Sequence, residues 1–476
     1  MRAVDWEVVI GMEVHVQPTT RTKMFCSCAI APLNAPPNTH TCPVCLGLPG
    51  VLPVINKSAV EACLKTAVAL NCEIPRHTKF DRKNYMYPDL PKGYQISQYD
   101  LPMSHDGHLD VAERRVRIRR VHLEEDTGKL VHAGDRLHKA HESFVDLNRA
   151  GVPLMEIVSE PDIRSAEEAR DYAMALRTML RTIGASEADM EKGQLRAEPN
   201  ISVRRTGTTE LGVKTELKNI NSFRNLHRAI DFEVKRQIEA LESGQSVKQE
   251  TRGWSDAEQR TFAQRTKEFA EDYRYFPEPD LPPLELDPAW IEELRRALPE
   301  LPEARRARLV AQYALPLHDA SLIAAERELA DLFEGAVLAG ADSKLTANWV
   351  IGEIAPRGGG SFANEITPHQ LAQLLGLLSS RYLNRDNAQK TLTAIWNTSD
   401  EPESVATQKG WIGQVHDDVI ENAILEVFET HAQAVADYRS GKRQALGALV
   451  RAVRAAAGGN ADPSRVSDLL RAKLDA

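Results

Sequence analysis

The proline-rich run Phe276–Pro288 (FPEPDLPPLELDP) constrains this chain more than any other feature. Proline fixes φ and offers no backbone N–H, so a run this dense favours extended backbone and stops any helix that reaches it. Before the run, short apolar–polar alternations are punctuated by Gly, Pro and Asn, the pattern of strands and turns with a few helices between them. After it, Ala, Leu, Glu and Arg recur with helical periodicity almost to the C-terminus. A second polar, breaker-rich stretch, Asn397–Gly410, interrupts the helical part. The sequence therefore predicts an α+β chain in three pieces: a large mixed domain over 1–290, a helical domain over 291–404 and a small helical tail over 405–476. At about 150 residues per domain, a chain of 476 residues has room for all three.

Composition excludes several classes. With 42% hydrophobic and 27% charged residues the chain is ordinary globular material, not a disordered one. No stretch approaches about 18 consecutive apolar residues, so no membrane-spanning helix is expected. The first residues carry Asp5, Glu7 and Glu13 inside their apolar run, which does not suit a signal peptide, and a cytoplasmic location is expected. At a net charge of −9, nucleic acid would have to be met by local patches. The tail supplies one. From Arg439 onward it holds eight basic and three acidic residues, a net charge of +5 suited to an RNA backbone.

All six cysteines precede residue 73, and four form close pairs, Cys26/Cys28 and Cys42/Cys45. In a reducing compartment two such pairs across a loop predict a tetrahedral S₄ zinc knuckle over 26–45. Pro43 and Gly47 suit the tight turn that it needs. A closed Cys₄ site leaves no open position for water, so it is expected to be structural. Cys63 and Cys72 fall on a helix expected over 57–72 and read as ordinary buried thiols.

The first strand alternates cleanly. Trp6, Val8, Ile10, Met12, Val14 and Val16 share one face, and Glu7, Gly11, Glu13, His15 and Gln17 the other. A second strand over Arg115–Glu125 is expected to present Val116, Ile118, Arg120, His122 and Glu124 together, Glu125 opposite, with a β-turn at Asp106–Gly107 nearby. Helices are expected over Ala166–Ile183, opened by a Ser165/Glu168 capping box, and over Arg224–Glu242. Glu156 lies in the apolar segment VPLMEIV, where an unpaired charge is costly. Glu13, His15, Glu124, Glu125, Asp126 and Glu156, gathered on one sheet, would form a hard-cation site suited to Mg²⁺ and nucleotide phosphates. Phe80–Gln98 interleaves Arg82, Lys83 and Lys92 with Tyr85, Tyr87 and Tyr94, and Asp272–Phe276 (DYRYF) repeats the theme. Such stretches can hold phosphates and stack the bases of a single-stranded end. No P-loop, G-x-S-x-G elbow or H-E-x-x-H is present, and Gly358–Ser361 reads as a plain loop.

The segments EVVIGMEVHVQ (7–17), CPVCLGLPGVLPVIN (42–56), RKNYMYPDLPKGYQISQ (82–98), HLEEDTGKLVH (122–132), DLNRAGVPLMEIVSEPD (146–162), KTELKNINSFR (214–224) and DYRYFPEPDL (272–281) resemble the B-subunit (GatB) family of tRNA-dependent amidotransferases. That resemblance implies a cradle domain with a fold similar to glutamine synthetase and guanidino kinases, followed by a helical domain and a YqeY-like tail that contacts tRNA. It implies ATP-dependent phosphorylation of the side-chain carboxylate of Glu-tRNA(Gln) or Asp-tRNA(Asn), then attack by ammonia. The ammonia would come from a partner amidase, tied in by a small third subunit to make a heterotrimer; neither DNA nor a membrane is an expected partner. By the resemblance Glu13, His15, Glu124, Glu125 and Glu156 are the catalytic and metal-site candidates, with Mg²⁺ on Glu13, His15, Glu125 and Glu156. Lys79, Arg82, Lys83, Lys92 and Arg274 become candidates for phosphate and 3′-end contacts, and Glu216, Lys218 and Asn219 for the nucleotide. One departure stands out: Ala197 and Glu198 occupy positions where the family usually has Cys and Asp. A non-catalytic, zinc-containing tRNA-binding scaffold is the competing reading.

Overall fold

The computed structural model describes residues 6–112, 114–132, 142–266, 273–357, 365–412, 417–458 and 461–475; Asp272 and Gly358–Ser361 lie outside them. The chain divides into two compact units, Met1–Leu301 and Pro302–Ala476. The expected α+β character holds: a large sheet with helices in the first unit, helices throughout the second. Among the described residues no helix is long and apolar enough to cross a membrane.

An eight-stranded sheet dominates the first unit. Its strands are β1 (Trp6–Val16), β2 (Ser104–Val111), β3 (Arg114–Glu125), β4 (Pro153–Ser159), β5 (Leu195–Arg205), β6 (Thr215–Lys218), β7 (Glu250–Ser255) and β8 (Arg260–Thr266). Their spatial order is β8-β7-β6-β5-β1-β4-β3-β2, antiparallel except for β6 beside β7. β1 sits near the middle, and its alternation sets the faces as expected. Ile10, Met12, Val14 and Val16 are fully buried, joined by Met155, Ile157, Leu195, Ala197, Ile201 and Leu217 from neighbouring strands. Helices α1 (Lys57–Ala69), α2 (Ala166–Thr182) and α3 (Phe223–Glu242) add Leu64, Leu176, Leu180, Leu226 and Ile230 to the same apolar layer.

The helix ends follow from their caps. Ser165 Oγ accepts the Glu168 N–H at 3.1 Å, half of the expected capping box. The Glu168 carboxylate takes the Arg164 N–H at 2.8 Å instead of that of Ser165. α3 opens one residue before the expected start, capped by Ser222 through the Asn225 N–H. The helix after the proline run, α4 (Pro288–Ala297), packs on α1 in the first unit. In the second unit the apolar side chains form two clusters, one from Leu309 to Ala406 and one from Ile420 to Leu474.

Two local expectations fail for one reason, backbone irregularity that a period-2 reading does not see. The register of β3 against β4 shifts between Ile118 and Arg120. This bulge inverts the alternation. Val116, Ile118, Val121 and Leu123 all enter the core, and Arg120, His122 and Glu124 face the other way. Nor is Asp106–Gly107 the hairpin turn. Both residues lie inside β2, with Asp106 at φ +51°, and the chain reverses between Val111 and Arg114. Gly107 is there because the β2 backbone crosses the end of α1: a Cβ on it would stand 2.3 Å from Cys72 Sγ and 2.6 Å from the Leu70 carbonyl oxygen. Gly107→Ala is therefore expected to cost about 1–3 kcal/mol. A urea unfolding midpoint unchanged from wild type would contradict this close approach.

Candidate functional site: a carboxylate–histidine face

With the apolar face of the sheet sealed, its other face must carry the polar residues of the same strands. Across β3, β4, β1 and β5 the register aligns His122, Glu156, His15 and Arg196 in one row. One step along, Glu13 pairs with Glu198, and Asn200 pairs with Glu216 of β6. Two clusters result. His15, Glu124 and Glu156 bring a ligand atom each within 4.8 Å of one another, and so do Glu13, Glu198 and Glu216.

In the first cluster, His15 Nε2 lies 3.6 Å from Glu156 and 3.8 Å from Glu124. The buried His122 stands 3.3 Å from the same Glu156 oxygen. Burial by itself would push the His15 pKa down, but the hydrogen bond and charge of Glu156, with Glu198 and Glu124 behind it, raise it to about 9. Burial likewise opposes charge on Glu156, and His122 and His15 overcome it, holding that carboxyl well below its usual range. In the second cluster, Asn200 Nδ2 donates to Glu13 at 3.0 Å, and Lys218 Nζ lies 3.0 Å from Glu198 and 3.3 Å from Glu216. Burial, then the charges of Glu156, Glu216 and Glu198, raise the Glu13 pKa. The face therefore holds more negative charge than its own cations neutralise, arranged as oxygen donors with the imidazoles of His15 and His122. That donor set suits a divalent cation. A cleft of about 220 Å³ opens beside Glu13, lined by Gly11, Arg119, Asn200, Ser202 and Lys214 among others.

Other expected residues are placed differently. Glu125 does not join either cluster: from the end of β3 its carboxylate pairs with Lys92 and accepts the Ile96 N–H at 2.9 Å. Lys79 pairs with Asp81 and Asp100. Arg82 makes a two-pronged ion pair with Glu278, contacts Asp280 at 3.2 Å and lies 4.2 Å from the Tyr94 ring centroid. Three of the basic candidates are thus already neutralised. Lys83 instead sits over Tyr273, at 4.9 Å. Asn219 and Arg274 both adopt positive φ, at +62° and +42°. The two aromatic stretches do meet: Tyr99 stacks on Tyr275 at 4.4 Å, and Tyr85 and Tyr275 each contact Tyr273 edge-on. Burial, then Glu124 and Glu156, raise the Tyr275 phenol pKa, so this aromatic belt borders the first cluster.

The four knuckle cysteines converge, all sulfurs within 4.8 Å and Cys42 to Cys45 at 3.9 Å. Tetrahedral zinc with Zn–S of about 2.3 Å needs S–S separations of about 3.8 Å, so the residues fit that metal. Cys63 and Cys72 are buried, as expected, and burial pushes the Cys72 thiol up to about 11. Sequence reasoning missed Lys23, whose side chain is fully buried against Cys45. No periodicity or spacing marks it.

A sheet with one sealed apolar face and one face of gathered carboxylates defines the general class. Comparison with known proteins narrows it. Residues 8–292 match the family model described as the GatB/GatE catalytic domain, and residues 331–474 match the GatB domain. The chain is 47% identical to the B subunit of the aspartyl/glutamyl-tRNA(Asn/Gln) amidotransferase of Carboxydothermus hydrogenoformans, covering 99% of each chain. It is 48% identical to the protein of that name from Dehalococcoides mccartyi and 48% identical to that from Thermomicrobium roseum, again covering 99% of each. The chain belongs to the GatB family, the B subunits of the aspartyl/glutamyl-tRNA amidotransferases.

Lys218 supplies a test of the charge excess. Lys218→Met leaves Glu13, Glu198 and Glu216 facing one another without it. The variant should melt a few degrees below wild type in EDTA and regain more of that difference than wild type gains when millimolar Mg²⁺ is added. An equal Mg²⁺ response in both proteins would contradict a cation site there.

Proposed function

We propose that this chain carries the ATP-dependent half of the amidotransferase reaction. The γ-phosphoryl group of ATP passes to the side-chain carboxylate of Glu-tRNA(Gln) or Asp-tRNA(Asn), and ammonia then displaces phosphate to give the amide. The observation that carries this reading is the gathering of Glu124 and Glu156 beside His15, and of Glu13, Glu198 and Glu216, on the polar sheet face, each cluster with its ligand atoms within 4.8 Å. Phosphoryl transfer asks a protein for positioning and charge neutralisation more than for a nucleophile. His15, Glu124 and Glu156 would hold one Mg²⁺, and Glu13, Glu198 and Glu216 have the donors for another. When bound, Mg²⁺ would neutralise phosphate charge and polarise the transferred group.

The chain's own side chains do the rest. His122 and Glu124 restrain Glu156 and His15 from either side. Lys218 and Asn200 hold Glu198 and Glu13 in place beside the cleft. Lys83 and the rings of Tyr85, Tyr99, Tyr273 and Tyr275 offer charge and stacking surface to a single-stranded 3′ end. With a 3′ end stacked on them, the same rings would help to exclude water, as an acyl phosphate needs. Glu198 keeps its carboxylate in the second cluster, so the longer side chain does not by itself disable the site. The cysteine knuckle, with structural zinc, holds the edge of this domain, and the tail over 405–476 lies against tRNA through its basic part from Arg439 onward. Ammonia comes from the partner amidase, and a small third subunit completes a cytoplasmic heterotrimer.

The test is a reconstituted assay with the amidase and the small third subunit, glutamine, Mg-ATP and each misacylated tRNA. Amide should form on at least one tRNA, with ADP produced only in its presence. Glu156→Ala should lower kcat by at least about 10²-fold while tRNA binding is kept. Full turnover by Glu156→Ala would remove the cation face from the reaction and favour a scaffold role.

A further inference from the structure

Lys23 is among the largest fully buried side chains in the chain, at 0% exposure. An ammonium in such a place is expensive unless a negative charge meets it. Among the described residues Lys23 makes no ion pair with any carboxylate. Its Nζ has two acceptors, Cys45 Sγ at 3.6 Å and the Leu147 carbonyl oxygen at 3.4 Å. A neutral thiol is a weak acceptor that brings no charge. Four thiolates around one Zn²⁺ carry a net charge of −2, and a buried cation beside them is then stabilising.

The backbone around Lys23 is fixed from both directions. Its N–H donates to the Cys28 carbonyl at 2.9 Å, and its carbonyl accepts from Asn56 Nδ2 at 3.2 Å. The next residue, Met24, donates to the Gly151 carbonyl at 2.8 Å. Gly151 is the meeting point: a Cβ built there would lie 3.4 Å from Cys45 Cβ, 3.6 Å from Lys23 Cδ and 3.8 Å from a Glu125 carboxylate oxygen. The knuckle and the end of β3 are therefore separated by one residue without a side chain.

We propose that Lys23 is a positioning residue of the knuckle. Its ammonium donates to the Cys45 thiolate of the zinc cluster and to the Leu147 carbonyl. In doing so it retains the metal and ties the knuckle to the 147–151 loop that packs against Glu125. The inference rests on the zinc reading of Cys26, Cys28, Cys42 and Cys45. Outer hydrogen-bonding partners of metal ligands commonly set affinity within 10–100-fold, and among the described residues Lys23 brings a charged donor to a knuckle sulfur.

The test uses the full-length chain. Wild type should purify with one zinc. Lys23→Met, which keeps the volume and removes the charge, should release zinc to a chromophoric chelator about 10–100-fold faster. In the cobalt(II)-substituted protein its sulfur-to-metal charge-transfer band should move to lower energy, because the thiolate loses an N–H donor. A packing role alone would leave that band unmoved. Should Lys23→Met fold poorly, amine labelling of wild-type Lys23, followed by mass spectrometry, gives a second readout: protection with zinc bound, and labelling once a chelator has removed it. Zinc release at the wild-type rate with an unshifted cobalt band would overturn the role of Lys23 alone, as would Lys23 labelling that ignores zinc. Wild-type protein purified without zinc would overturn the cluster assignment and this inference together.

Discussion

The burial of Ile10, Met12, Val14 and Val16 is the constraint on which the rest of the first unit depends. These four residues fix which face of β1 meets the helices. Because side chains alternate, they also fix where Glu13 and His15 must point. A one-residue slip of β1 against β5 would drive both into the apolar layer. The neighbouring strands obey the same rule, so Glu156, Glu198 and Glu216 arrive on one face without any long-range instruction beyond pairing register. The charged site is thus a by-product of core formation, placed by the same contacts that make the sheet stable.

Electrostatics then sets that face apart from its rim. A structural polar network would close on itself, each carboxylate meeting its own cation. That happens at the rim, where Lys79, Arg82 and Lys92 are paired with Asp81, Glu278 and Glu125. At the centre it happens only in part: His15 serves both Glu124 and Glu156, and Lys218 both Glu198 and Glu216. The His15 pKa is held at about 9 by its carboxylate neighbours, and the Glu13 pKa is raised by burial and by Glu156, Glu216 and Glu198. Neighbouring carboxyls pushed in opposite directions, Glu13 up by burial and like charge and Glu156 down by His122 and His15, mark a candidate functional site.

The legibility of the sequence followed the range of the interactions. β1, α2, α3 and the cysteine pairs rest on local periodicity, caps and spacing, and each appeared where the sequence pattern placed it. The family segments pointed to Glu13, His15, Glu124 and Glu156, which the sheet brings onto one face. Misplacement came from features that periodicity does not encode. The bulge between Ile118 and Arg120 inverted half of one strand. Glu125, read as a metal ligand, meets Lys92 because the 92–96 segment folds against the end of β3. The partner of Arg82 is 196 residues away in sequence. Lys23 was invisible because its burial depends on three separate segments closing around it.

The most direct test of the central claim is to trap the acyl phosphate. The complex reconstituted with the amidase and the small third subunit is given Mg-ATP and misacylated tRNA, with hydroxylamine in place of any source of ammonia. If the polar sheet face activates the side-chain carboxylate, the aminoacyl group on the tRNA becomes the γ- or β-hydroxamate, one per ADP released. ADP release with no hydroxamate, or ADP release that does not require the misacylated tRNA, would contradict the account.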